Sequence, residues 1–431
     1  MAVANHSHPV APAARPDTRP SFVLGMLCFV YVLNFLDRQL LSILAKPIQD
    51  SLQITDGQLG LISGLYFAMF YCFIAIPVGW LADRTSRVGV LSLACAIWSG
   101  ATVACGMAAN YGQLVAARMA VGIGEAGGVP PSYAIITDTY PPGKRAAALG
   151  IFNLGPAIGA AAGVAFGAAI ADQFGWRIPF IVVGAIGIVT ALIVWLTVRE
   201  PKRGAMDPGG PVATDDRAMF WPTVRMFASN RVLMLAALGG GATQFVTYGL
   251  GNFAVLFLMR EKGMELNDVA LWYALVLLIG MGGGMILSGR VIDRMTRKSR
   301  TGYATAPALS LAVAMPFYLG FLWAPGWPLA LALLTIVMVF NYFYLSASVA
   351  LVQEEVKPNQ RVLAGALLLL VMNFIGLGLG PTWVGFASDW FRSNGDAHGL
   401  QTALYTLTPF YVIAIALFAM LARVLGKETI G

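Results

Sequence analysis

The chain has 431 residues, of which 58% are hydrophobic and only 11% charged, and its mean hydropathy is +0.72. That balance leaves too little polar surface for a soluble globular protein of this length. The formal net charge of +7 does not point to nucleic acid, because the basic residues follow short inter-span segments and form no groove with stacking aromatics.

Residues 1–21, rich in Ala, Pro and His, have no apolar core of a signal peptide and read as a disordered tail. His6 and His8 lie there without neighbouring ligands, so no metal site is expected. Apolar runs then follow near Phe22–Ala45, Gln58–Leu81, Val88–Ala108, Gln113–Thr137, Ala146–Ala171 and Ile178–Val198. Residues 199–231 are polar and contain the breaker cluster Met206-Asp-Pro-Gly-Gly-Pro, which marks a linker. Within it, 217–229 fits a short amphipathic surface helix. Six more runs lie near Val232–Leu258, Asp268–Ile292, Tyr303–Ala324, Pro328–Val352, Val362–Ala387 and Thr402–Leu425, leaving 426–431 as a C-terminal tail. Each run is long enough to cross a hydrocarbon core of about 30 Å as a helix. The runs are continuous and not alternating, which favours helices over a barrel. The expectation is an all-α integral membrane protein of twelve transmembrane helices, with six-helix bundles at 22–198 and 232–425. Cys28, Cys72, Cys95 and Cys105 fall inside apolar runs and read as small core residues.

Lys and Arg set the expected orientation. Of the 28, Lys46, Arg177, Arg260, Lys262 and Arg392 fall on one side, Arg38 and Arg118 lie inside spans, and the other 21 fall on the side of the tails and linker. The positive-inside bias predicts both termini in the cytoplasm and the protein in the inner membrane.

Two segments share one spacing: Gly79-Trp-Leu-Ala-Asp83-Arg84-Thr-Ser-Arg87 and, 210 residues later, Gly289-Arg-Val-Ile-Asp293-Arg294-Met-Thr-Arg297. Such a repeat reads as a duplicated half, the two halves related by a pseudo-two-fold axis along the membrane normal. With twelve spans and a central linker, the chain resembles the major facilitator superfamily. Asn34-Phe-Leu-Asp37-Arg38 and Arg118-Met-Ala-Val-Gly122-Ile-Gly124-Glu125 resemble its Spinster branch. The resemblance implies alternating access, a monomer, and proton-linked export of lysolipid or sphingolipid-like substrates in contact with membrane lipids. It also implies a lock at Gly79, Asp83, Arg84, Arg87, Gly289, Asp293, Arg294 and Arg297 that forms when the cytoplasmic side is shut. Carriers of small organic anions and drug/proton antiporters of the same superfamily are the alternative.

Ionisable side chains inside spans are costly and mark function. Four qualify: Asp37, Arg38, Arg118 and Glu125. Arg118 and Glu125 share a face but stand about 10 Å apart along the axis, too far to pair on one straight helix. Each therefore needs a partner elsewhere, and Asp37 is the natural one for Arg118. Asp37 and Glu125 are expected to carry protons, with Arg118 tuning them and gripping an anionic head group. Arg38 points about 100° away from Asp37 and need not share the cavity; it is carried as a substrate candidate. The other substrate candidates are Glu125 itself, Asn34, Tyr66, Ser132, Tyr133, Gln244, Tyr248, Asn252, Asn341, Tyr342 and Asn373. Gln244, Tyr248 and Asn252 form one stripe at four-residue spacing. Pro130-Pro131 should kink the fourth span. His6, His8 and His398 are the only histidines, and no phosphate-binding Gly-x-x-x-x-Gly-Lys-Ser/Thr is present, so an enzyme or an ATP-driven pump is not expected. No cofactor is expected beyond the proton as coupling ion.

Overall fold

The computed structural model describes residues 19–203, 206, 220–357 and 360–428, and contains no strand among the described residues. The N-terminal tail with His6 and His8, most of the linker and the last three residues lie outside that set. The first half contains span 1 (Pro20–Ile43), a short helix (Ala45–Leu52) and span 2 (Asp56–Ser63 and Leu65–Arg84). Span 3 (Arg87–Met107), span 4 (Tyr111–Glu125 and Val129–Thr139), span 5 (Pro142–Phe152 and Gly155–Phe174) and span 6 (Arg177–Thr197) complete it. Part of the expected surface helix forms at Phe220–Ser229.

The second half contains span 7 (Arg231–Glu261), span 8 (Leu266–Thr296), span 9 (Gly302–Trp323) and span 10 (Trp327–Asn341 and Phe343–Glu355). Span 11 (Arg361–Asn373 and Gly380–Ser393) is joined by a wide turn at Phe374–Leu379, and span 12 comprises Gly399–Tyr405 and Thr408–Glu428. Eleven of these stretches are long and apolar enough to cross a membrane. Span 4 is the twelfth. It escapes a length-and-hydropathy criterion because it is broken into pieces of 15 and 11 residues and carries Arg118 and Glu125. The break falls at Ala126–Gly128, ahead of the prolines. Pro130 sits in the first turn of the second piece, where a missing N–H costs nothing and the ring has no preceding helical turn to clash with.

Large apolar side chains face outward, as on span 6, where Val189, Leu192, Trp195 and Leu196 are all more than half exposed. A surface of this kind suits lipid, not water. Polar knots tie the face that carries the linker. Ser86 and Glu200 cap the start of span 3: the Val88 N–H donates to Glu200 at 2.8 Å and the Ser86 hydroxyl at 2.9 Å. Arg203 donates to the carbonyls of Ala82 (3.1 Å) and Thr85 (2.8 Å) and so satisfies the end of span 2.

On the opposite, far face the two halves are clasped. Asp56 is fully buried at the start of span 2. Its carboxylate accepts from Gln49 Nε2 (2.7 Å), Arg260 Nη1 (2.8 Å) and Ser388 Oγ (2.7 Å). Asp389 of span 11 accepts the first N–H groups of the same helix, from Asp56 (3.1 Å) and Gly57 (2.8 Å), where the helix dipole favours a negative charge. Backbones touch here: a Cβ on Gly60 would stand 2.5 Å from the Pro381 carbonyl oxygen. On the linker face a Cβ on Gly79 or Gly289 would meet no atom within 4 Å, so no helix packs closely against either glycine.

Candidate functional site: a charged cavity between the halves

Between the halves lies a cavity lined by side chains of both. Span 1 supplies Phe35, Arg38, Gln39 and Ser42 to one wall, span 2 supplies Ser63 and Phe67, and span 4 supplies Arg118. The other wall comes from Thr247, Tyr248, Gly251 and Asn252 of span 7, Tyr273 and Leu277 of span 8, Met338 and Tyr342 of span 10, and Leu377 of span 11. Tyr273 and Leu377 sit in wide i→i+5 turns, Val269–Tyr273 and Phe374–Leu379. Such turns recur at functional sites because they re-aim side chains within a helix.

The four intramembrane charges pair across spans 1 and 4. Arg38 Nε donates to Glu125 Oε2 at 2.5 Å, and Arg118 Nη1 stands 3.8 Å from Asp37 Oδ2, an ion pair without a hydrogen bond. The two arginines line the cavity, while neither carboxylate does. Rings of Phe35, Phe67 and Tyr71 surround the Arg38 guanidinium at 5.0–5.2 Å, and Phe67 also faces Arg118 at 5.4 Å. In a dry setting each such contact is worth about 1–2 kcal/mol. They let a cation stay charged where water is scarce. Arg38, carried as a substrate candidate, reaches both the cavity and Glu125, because a guanidinium on a three-carbon stem sweeps far beyond the 100° sector of its Cα.

Several expected contacts stand elsewhere. Tyr248, Asn252 and Tyr342 line the cavity, but Gln244 does not. A Cβ on Gly376 would meet Gln244 at 2.1 Å, so this residue packs spans 7 and 11 together. Asn341 is locked to the Tyr411 hydroxyl of span 12 at 3.0 Å. Tyr133 donates to Asn153 Oδ1 at 2.7 Å, and Tyr66 and Asn373 are absent from the cavity wall. Asn34 and Ser132 line a separate small pocket inside the first half. The common cause is that polar residues inside a bundle serve as interhelical glue as readily as ligand contacts. Gln39, Ser42, Ser63 and Phe67 were missed; the i, i+4 spacing of Ser42 from Arg38 was the available signal.

The repeated segment is less symmetric than its spacing. Arg87 is buried and joins Asp138 of span 4 (2.5 Å) and Glu200 (2.9 Å). Arg297 is exposed, and Arg300, three residues on, takes the corresponding place against Glu355 at the end of span 10. Arg84 lies over the Trp80 ring at 4.0 Å, and Asp293 and Arg294 are exposed. The Asp83 side chain lies outside the described residues.

Twelve membrane-spanning helices in two bundles, parted by a cavity with buried charges, define a multi-pass membrane transporter and not an enzyme. Residues 27–381 match the Major Facilitator Superfamily, and the chain belongs to that family, in its Spinster-like branch. A solved structure described as a bacterial homolog to the human lysosomal transporter Spinster, inward-facing and unoccupied, is 33% identical. It superposes with a TM-score of 0.87 over 95% of this chain and 98% of its own. An MFS-type efflux pump of Mycolicibacterium smegmatis is 30% identical over 387 residues, 89% of this chain and 88% of that protein. Protein spinster homolog 1 of Homo sapiens is 26% identical over 87% of this chain and 74% of its own length. Members of the superfamily generally act as monomers on small-molecule substrates.

Proposed function

We propose that this transporter carries out proton-coupled export of an amphipathic, lipid-like molecule with an anionic or zwitterionic head group, from an inner membrane whose cytoplasmic side is the linker face. The observation that carries the reading is the pairing of two arginines that line the cavity with two carboxylates buried behind them. With both carboxylates ionised the cluster is neutral. A proton on Glu125 removes the charge that holds Arg38 and leaves a free guanidinium facing the cavity. That fork suits a phosphate or carboxylate head group, while Phe67, Leu277, Met338 and Leu377 offer an apolar wall to a chain. Proton and head group thus act through one pair of side chains, which is what coupling requires. The clasped far face and the unpacked Gly79 and Gly289 of the linker face support a state open to the cytoplasm under this orientation.

Proteoliposomes loaded with fluorescent lysophosphatidylcholine, or with a radiolabelled small sugar acid, test the reading with and without an imposed pH gradient. Gradient-dependent movement of the lysolipid is expected. Movement of the sugar acid alone would replace the substrate class, and transport indifferent to the gradient would remove the coupling.

A further inference from the structure

Two spans lose their regular winding where they meet, one from each half. Span 2 is interrupted at Gly64, whose backbone angles (φ −110°, ψ −100°) are not helical. Span 11 widens over Phe374–Leu379, just before its second helix begins at Gly380. The two irregular stretches touch. A Cβ on Gly64 would stand 2.7 Å from the Gly378 carbonyl oxygen and 2.8 Å from Thr382 Oγ1, and one on Gly378 would stand 3.2 Å from the Ala68 Cβ. Only glycine lets the backbones come this close.

A single hydroxyl serves both breaks. Thr382 Oγ1 donates back to the Gly378 carbonyl of its own span at 2.8 Å, as threonine commonly does in a helix. The Gly60 carbonyl of span 2 is a second acceptor at 3.3 Å. The lone pairs of the same oxygen stay available, and the Leu65 N–H of span 2 donates to them at 3.2 Å. In an unbroken helix that N–H would go to the Leu61 carbonyl, four residues back. The break in span 2 is thus satisfied by a side chain of the other half.

Cavity residues flank both breaks. Ser63 precedes Gly64, and Phe67 follows it by three residues; both line the cavity, as does Leu377 of the widened turn. Phe67 is buried and lies 5.2 Å from the Arg38 guanidinium and 5.4 Å from that of Arg118. The same two spans carry part of the far-face clasp, where Ser388 and Asp389 of span 11 bond to Asp56 and Gly57 of span 2.

We infer that Thr382 is a positioning residue of the transport cycle: its hydroxyl holds span 2 broken while the far face is shut, and so keeps Phe67 packed on Arg38 and Arg118. Opening the far face draws span 11 from span 2 and takes the hydroxyl with it. A backbone N–H without a partner at membrane depth is costly, and rewinding onto the Leu61 carbonyl repairs it. Rewinding turns the part of span 2 that follows Gly64, Phe67 included, and loosens the aromatic shell of both arginines. The cavity then grips an anionic head group differently in the two states, which is the differential contact that alternating access needs. That role rests on the cavity being the substrate site and falls to a residue outside the cavity wall.

The full-length protein in nanodiscs, with 4-fluorophenylalanine in place of Phe67, gives a fluorine spectrum that reports the setting of that ring with no substrate present. Thr382→Val keeps the shape and loses the hydroxyl. It is expected to raise the population of a shifted resonance about tenfold over the parent. Thr382→Ser keeps the hydroxyl and is expected to stay within about threefold of the parent. Fluorescent lysophosphatidylcholine is expected to bind Thr382→Val about tenfold more weakly than Thr382→Ser. A parent-like spectrum in Thr382→Val overturns the positioning role, and so does an equal shift in both variants, which marks a packing defect. Equal lysolipid affinity in the two variants overturns its part in the transport cycle. Failure of the parent itself to bind the lysolipid is a different result: it removes the substrate reading, while the fluorine spectra still decide whether the hydroxyl sets Phe67.

Discussion

Replacing Arg260 by Met should open the far face. In this state Arg260 donates to Asp56 (2.8 Å) and to Gln49 Oε1 (2.7 Å), joining span 7 to the first half. Asp56 is fully buried and keeps two neutral donors, Gln49 and Ser388, when Arg260 is lost. Removing one partner of a buried ion pair costs about 3–5 kcal/mol. Arg260 is about a quarter exposed, and Arg392 stays 3.6 Å from the same oxygen, so about 2 kcal/mol is the reasonable share. Once the far face opens, both partners meet water, and the loss counts only in the closed state. The open-to-closed ratio should therefore rise about 30-fold. Spin labels at Ser51→Cys and Ser393→Cys, in a chain freed of its four cysteines, report the distance across the far face. A new long-distance population is expected in Arg260→Met. A ratio within about threefold of the parent would refute the claim that this clasp holds the far face shut.

Asp37→Asn and Glu125→Gln should each abolish pH-gradient-driven lysolipid movement in proteoliposomes while leaving the thermal unfolding midpoint within a few degrees; full gradient-driven activity in either removes that residue from the coupling. Gly60→Ala places a methyl 2.5 Å from the Pro381 carbonyl oxygen, so it should hinder far-face closure and raise the labelling rate of Ser63→Cys by a thiol reagent added from that side. Glu200→Gln should lower stability by about 1–2 kcal/mol at neutral pH through loss of the span 3 cap and of its ion pair with Arg87. Burial pushes the Glu200 carboxyl up, but donation from the Val88 N–H, Arg87 and Ser86 outweighs it and holds the group below its ordinary value of 4.5. Its contribution is thus complete above that value and lost as pH falls through the lowered one. Unfolding midpoints of parent and variant should converge there, and a constant difference down to strongly acidic pH would contradict the assignment.

The spans, the duplication and the four intramembrane charges were legible in the chain, because a membrane requires each span to satisfy its own backbone and to be apolar throughout its length. Those demands are local, and a linear sequence states them directly. Even the one span that a hydropathy criterion misses was marked by its charges and its two prolines. The far-face clasp was not legible: Asp56 and Arg260 look like ordinary loop-end residues until spans 2, 7 and 11 meet. Nor was the division of the stripe on span 7, where Tyr248 and Asn252 face the cavity while Gln244, one turn away, packs against Gly376. Which acid takes which arginine, which glycine is touched and which face is shut depend on how helices rotate and cross against one another. Those contacts are fixed by side-chain reach and by fractions of a helical turn, and only the packed structure decides them.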